Sequence, residues 1–364
     1  MNQKIIFGAG YSGNEAFEKL GAENVYAFAD NNLDKIGTML HGKRILSFND
    51  MVELKNDYEI LAASADIYGM GKQLSAAGIM KFSIWTNGKE KMACADKKAY
   101  AKFIQIRIVD HCNLNCKNCG SVCNKNVEPW CIDKNEYKGD LVRLRELFYH
   151  IGKIKLLGGE PLLHPQLDEI IDITREVFWD SEIEIATNGM LINKLEQRIL
   201  DSMEKNDAVV HVSEYETTSK MMDKIKKVLE ENHIRWFSHK CDLFYKSLTD
   251  CADKDAVKAF ELCEIQRECM NLKRGILYRC SKAEGIEKIE KQFQMHYKLI
   301  EGSDYADIYK PELDIIKLMD LFQKPGFMCK YCVDKPRRTF PWKPADGVIE
   351  LSDYIITKEE YKNM

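Results

Sequence analysis

The thirteen cysteines, and where they stand along the chain, constrain this sequence more than any other feature. The first hundred residues hold a single one, Cys94. Five follow close together, Cys112, Cys116, Cys119, Cys123 and Cys131. Seven lie further on: Cys241, Cys251, Cys263, Cys269, Cys280, Cys329 and Cys332. The opening residues, MNQKIIFGAGYSG, read as a strand and a turn and not as a secretory signal. A cytoplasmic, reducing address is therefore expected, where disulfides are disfavoured. Two separate groups of thiols then point to soft-metal ligands. Lys and Arg total 53 against 57 Asp and Glu, a net charge of −4, so no nucleic-acid surface is expected. No apolar run approaches the ~20 residues that span a bilayer, so no membrane partner is expected either.

A length of 364 residues sets a prior of two or three domains. Residues 1–94 alternate strand and helix signals, as a small parallel sheet covered by helices would. Residues 95–102 read as a joining segment. From 103 to 245, FIQIRIV, KIKLLG, IEIAT, AVVHVS and IRWFS are strands separated by amphipathic helices. With a motif at each strand end, that succession suggests a partial barrel with its site at the C-terminal ends of the strands. Residues 246–345 are irregular and cysteine-rich and form a third module.

Cys112, Cys116 and Cys119 form C-x3-C-x2-C directly after the strand FIQIRIV. Three thiolates in one loop can hold three corners of a 4Fe–4S cube and leave one iron open. The triplet alone also allows a zinc knuckle with Cys123 or Cys131 as fourth ligand. Next in order come Gly158-Gly159-Glu160-Pro161 after KIKLL, Thr187-Asn188-Gly189 after IEIA, and Ser213 at the end of AVVHVS. Together these resemble the radical S-adenosylmethionine (SAM) superfamily. The resemblance implies an α/β fold with a partial (β/α)6 TIM-like barrel. It implies a 4Fe–4S cluster on Cys112, Cys116 and Cys119, with SAM bound to the open iron. SAM contacts then fall to Gly158, Gly159, Glu160, Thr187, Asn188 and Ser213, with Glu160 on the SAM amino group. Reductive cleavage of SAM would yield a 5′-deoxyadenosyl radical that abstracts hydrogen from substrate, with flavodoxin or ferredoxin as electron donor. The position before the third cysteine, often aromatic in the superfamily, is Asn118 here.

Cys263 is followed by eleven residues, Gly275, four residues and Cys280, and later by Cys329-x2-Cys332. This resembles the twitch and SPASM modules of the superfamily. It implies an auxiliary 4Fe–4S cluster on Cys263, Cys280, Cys329 and Cys332, with Cys269 as the competing ligand or a hydrogen donor. From spacing alone the four cysteines equally suit a structural zinc ribbon. Cys94, Cys241 and Cys251 read as structural thiols.

Gly8, Gly10 and Gly13 form GxGxxG between a strand and a helix, and Asp30 ends the next strand. That context suits a Rossmann-like nucleotide site, or a module that merely docks. Its neighbourhood resembles small N-terminal domains of nucleotide-sugar enzymes. The expected function is oxidation of a sugar, nucleotide-sugar or polyol, a small-molecule substrate, with Cys269, Tyr215 and Glu214 as candidate catalytic residues. Peptide or protein modification, epimerisation and a zinc-stabilised binding protein are the alternatives.

Overall fold

The computed structural model describes residues 3–64, 66–86, 88–94, 98–123, 128–263, 269–345 and 349–364. Part of the expected joining segment, 95–97, and the side chain of Cys94 lie outside the described residues. The chain divides into two compact units. One comprises residues 1–101 with 146–150, the other 102–145 with 151–364. Residues 246–345 therefore share a unit with the strands that precede them.

The first unit is built on β1 (Lys4–Phe7), α1 (Tyr11–Leu20), β2 (Val25–Ala29), β3 (Met39–Leu40), β4 (Lys43–Leu46), α2 (Phe48–Glu53), β5 (Glu59–Ala62), α3 (Ile67–Ala76), β6 (Lys81–Thr86) and β7 (Lys89–Cys94). The sheet order is β3-β4-β2-β1-β5-β6-β7. β4, β2, β1, β5 and β6 are parallel, and β3 and β7 close the edges antiparallel. Ile5, Ile6 and Phe7 are fully buried, as a central parallel strand covered on both faces requires. The strand order reverses between β1 and β5. Open α/β sheets form their ligand crevice at such a switch point.

The second unit follows β8 (Ala99–Arg107). It contains α4 (Lys134–Leu147) and β9 (Phe148–Leu157) apart from residues 146–150, and α5 (Leu167–Val177), β10 (Glu182–Thr187), α6 (Gln197–Lys205), β11 (Ala208–Glu214), α7 (Glu216–Ser219), α8 (Met222–Glu231) and β12 (Arg235–Lys240). These five strands are neighbours in chain order, and β9 to β12 are parallel. α5 buries Leu167, Ile170, Ile171 and Thr174, the three-and-four spacing of an amphipathic helix. On β10, Ile183 and Ile185 are fully buried while Glu184 and Ala186 share the opposite face. On β11, His211 and Ser213 likewise share a face, because side chains alternate along a strand.

Past β12 come β13 (Leu243–Tyr245), α9 (Ala256–Glu261), β14 (Asn271–Lys273), β15 (Ile276–Tyr278), α10 (Ser281–Phe293), β16 (Tyr305–Asp307) and β17 (Thr339–Pro341). β13 pairs antiparallel with β17. β14, β15 and β16 extend the large sheet on the far side of β8, with β14 parallel to β8. The sheet thus grows beyond its first strand, and among the described residues β12 has a neighbour on one side only. Among the described residues, no helix is long and apolar enough to cross a membrane.

Candidate active site

A cleft of 440 Å³ opens at the C-terminal ends of β8 to β12. Cys112, Cys116 and Cys119 line it, together with Gly158, Gly159, Thr187, Asn188, Ser213 and Tyr215. The sequence motifs therefore meet in one place. Leu114 N donates to Cys112 Sγ (3.4 Å), and Trp342 Nε1 donates to Cys116 Sγ (3.2 Å). Burial pushes the Cys112 thiol up, and pushes Cys116 up to about 12. Buried thiols of this kind ionise readily only beside a metal, and N–H donors aimed at sulfur favour the bound thiolate. Three thiols lining one cleft are a donor set that a 4Fe–4S cube could use, one thiolate to each of three irons.

Gly159 presses its backbone on the cysteine loop. A Cβ there would stand 2.1 Å from His111 O and 3.0 Å from Cys112 Cβ, so only glycine fits. Gly159→Ala is expected to cost about 1–3 kcal/mol by overpacking. The shift falls on Cys112, so the variant should also retain less iron on reconstitution than wild type, as read by metal analysis.

Glu160 does not line the cleft. It is fully buried and accepts from Thr187 Oγ1 (2.6 Å), Asn188 N (2.8 Å) and Leu162 N (3.1 Å). It therefore ties the end of β9 to the end of β10 and fixes the loop that carries Asn188. Asn188 Nδ2 reaches Asn113 Oδ1 at 2.7 Å. Burial raises the Glu160 carboxyl to about 7.

Among the expected catalytic residues, Cys269 and Tyr215 line the cleft. Cys269 is buried and accepts from Gln105 Nε2 at 3.2 Å. The Tyr215 ring lies 5.4 Å from that of Trp342. Glu214 instead accepts from Ser219 Oγ at 3.0 Å, and it is not among the cleft-lining residues. Two thiols without an assigned role also face the cleft, Cys123 and Cys241, with His239 beside the latter. Cys241, read as structural from sequence, contacts His239 Nε2 at 3.1 Å. The two-residue spacing of His239 and Cys241, which puts both side chains on one face of an extended chain, was the available signal for this pair.

In the C-terminal stretch, burial pushes Cys332 up, and Cys280, Cys329 and Cys263 reinforce the effect. The four expected auxiliary ligands are thus electrostatic neighbours. Cys280 caps α10, accepting from Ala283 N at 3.5 Å, and is pushed up to about 12 by burial. Cys269 faces the main cleft and is also an electrostatic neighbour of Cys280, so both it and Cys263 stand beside this set.

In the first unit, Gly8, Gly10 and Asp30 line a separate cleft of 570 Å³ at the switch point. A Cβ on Gly8 would meet Ala63 O at 2.1 Å, and one on Gly13 would meet Gly8 O at 1.8 Å, so both glycines serve close packing. Gly10 faces open space, as a ligand approach requires. The Asp30 carboxylate accepts from Ala9 N (2.9 Å) and Asn32 N (2.8 Å) and pairs with Lys35 (3.3 Å).

A family described as a 4Fe-4S single cluster domain matches residues 104–235. The "Probable GTP 3',8-cyclase" of Methanococcus aeolicus is 36% identical over 108 residues, which is 28% of this chain and 34% of that protein. The GTP 3',8-cyclase of Clostridium acetobutylicum is 25% identical over 144 residues, 36% of this chain and 44% of that one. The chain thus spans less than half the length of these curated relatives. A solved structure described as BtrN in complex with AdoMet and 2-DOIA is 18% identical, with a TM-score of 0.39, covering 65% of this chain and 94% of its own.

Proposed function

We propose that the central segment of this chain is a radical SAM domain and that the protein is an oxidoreductase acting on a sugar, nucleotide-sugar or polyol. The observation that carries this reading is the meeting of Cys112, Cys116, Cys119, Gly158, Gly159, Asn188 and Ser213 in one cleft. When bound, the 4Fe–4S cluster supplies the electron that converts SAM to a hydrogen-abstracting 5′-deoxyadenosyl radical. Cys112, Cys116 and Cys119 would hold it. Gly158 and Gly159 let the backbone approach the SAM amino group. Thr187, Asn188 and Ser213 orient the rest, with Glu160 acting as the clamp beneath them. Tyr215 and Cys269 face the substrate.

Cys263, Cys280, Cys329 and Cys332 would hold an auxiliary 4Fe–4S cluster, which supplies a one-electron acceptor. Oxidation of a carbinol to a carbonyl removes a hydrogen atom from carbon, a proton from oxygen and one further electron, so such an acceptor suits the reaction. The open space at Gly10 favours docking of a nucleotide portion in the first unit. The names of the curated relatives favour a purine nucleotide as the second reading.

The test is 5′-deoxyadenosine release from SAM by anaerobically reconstituted protein with dithionite. The wild type should release the nucleoside, and the Cys112/Cys116/Cys119→Ala variant should release none. A protein that retains zinc and no iron would overturn the reading.

A further inference from the structure

A hydrogen-bonded row of side chains crosses three adjacent strands of the large sheet and ends in the cleft. Glu184 on β10 meets His211 on β11, Oε1 to Nδ1, at 2.8 Å. His211 Nε2 meets Nδ1 of His239 on β12 at 2.6 Å. His239 Nε2 meets Cys241 Sγ at 3.1 Å. His239 and Cys241 line the cleft, while the His211–His239 contact lies open to water. Cys241 is held in place by its own amide, which donates to Glu214 O at 3.0 Å.

The row has one consistent arrangement of protons when Glu184 is ionised and both rings are neutral. The thiol donates to His239 Nε2, His239 Nδ1–H donates to His211 Nε2, and His211 Nδ1–H donates to Glu184. Lys153 (2.5 Å) and Lys155 (2.8 Å) on β9 hold Glu184 ionised. Burial, then His211 and Lys155, hold His239 below the usual imidazole range, so it stays a neutral acceptor. Burial keeps Cys241 a protonated thiol, with Asp242 and Glu214 adding to the effect and Ser213 opposing it. Glu182, the remaining acid beside this row, is paired with Lys153 at 3.1 Å. Cys116 and Tyr215 are electrostatic neighbours of Cys241.

We propose that Cys241, His239, His211 and Glu184 form the acid–base path of this site, carrying the hydroxyl proton of a bound carbinol out of the cleft. This rests on the oxidoreductase reading above. In the step, the substrate O–H bond breaks and its proton joins Sγ of Cys241. The thiol proton passes to Nε2 of His239. The Nδ1 proton of His239 passes to Nε2 of His211, which becomes an imidazolium held by Glu184 and then releases its charge to solvent. One O–H bond is replaced by one N–H bond, and no electron moves along the row. Cys241 and His239 touch the substrate space and act as catalytic residues, whereas His211 and Glu184 act through them and are positioning residues. The arrangement extends the thiol–imidazole–acid logic of activated cysteines by one further ring.

The test reads Cys241 itself. Reconstituted protein is alkylated with iodoacetamide across neutral pH, and the Cys241 peptide is quantified by mass spectrometry. In wild type, its reactivity should fall as pH drops below the usual imidazole range, because a protonated ring cannot accept from the thiol. His239→Asn should lose that limb and react roughly tenfold more slowly near neutral pH. Glu184→Gln should move the limb to lower pH, because the Glu184 carboxylate, which favours the His239 cation, is gone. A merely structural row would leave the Cys241 profile indifferent to Glu184. Superimposed profiles for wild type and either variant would overturn the path. Should a variant misfold, the imidazole N–H resonances of histidine-labelled wild type still decide. Two hydrogen-bonded downfield Nδ1–H protons are expected, and their absence overturns the proposal. Release of 5′-deoxyadenosine by wild type is scored separately, so failure of the radical SAM reading and failure of the path are told apart.

Discussion

Glu284→Ala is expected to lower the stability of the second unit by about 3–5 kcal/mol, the cost of breaking a buried ion pair from one side. Glu284 and Arg107 are 2% and 1% exposed. Their closest approach is 2.6 Å, Oε2 to Nη2. Around them, Lys273 and Lys288 pair with Asp110 at 2.7 and 2.9 Å. Three cations thus share two carboxylates in a largely buried space. Removing Glu284 leaves three cations on Asp110 alone. Burial alone would lower the Arg107 guanidinium, but Glu284 first, then Cys123 and Asp110, hold it well above its ordinary value. Its charge therefore persists in the variant and must be borne uncompensated. Urea unfolding should show the loss. The paired change Arg107→Met with Glu284→Leu should recover much of it, because both charges leave together. The exposed pair Lys220–Glu216 offers the contrast, since its removal should change stability by less than about 0.5 kcal/mol.

The second large effect is a pH dependence. Burial raises the Glu160 carboxyl from 4.5 to about 7, while its bonds to Thr187, Asn188 and Leu162 oppose the rise. The folded protein therefore binds this proton more tightly than the unfolded chain does. The stabilisation is full below about pH 4.5 and is lost as pH rises through about 7, amounting to about 3 kcal/mol across that window. Unfolding free energies of wild type minus Glu160→Gln, measured from pH 4 to 8, should fall by that amount toward the alkaline end. A difference that stays level or rises with pH would contradict the assignment. Asp110 behaves oppositely. Its cations hold it down to about 2 against burial, so its contribution is lost only as pH falls into the acid range.

These predictions show which parts of the molecule were readable from residues alone. The motifs of the central segment were, because each is local: a cysteine loop, a double glycine and a strand-end Thr-Asn each carry their geometry within a few residues. Gly159 is a clear case, since its neighbours leave no room for a Cβ. The direction of Glu160 was not readable. A carboxylate in that motif can face a ligand or the protein, and the choice depends on where β10 ends. The path through Cys241 was equally hidden. Glu184, His211 and His239 lie on three strands, and only their register brings the side chains into line. The extension of the sheet past β8 rests on strands of three residues whose partners are remote in sequence, below what periodicity resolves.

One apolar cluster, described by Val122, Leu248, Ile286, Met328 and Tyr331, has Cys119 packed against it, and Cys280 and Cys332 as well. Members of both groups of thiols therefore pack against one common solid. Close-packed interiors hold distances to a fraction of an ångström and admit little water. Charge arriving at one group would be felt at the other with little screening, and the gap between them would not breathe with solvent. A substitution that loosens this cluster, such as Met328→Ala, would alter communication between the two groups without touching a single cysteine.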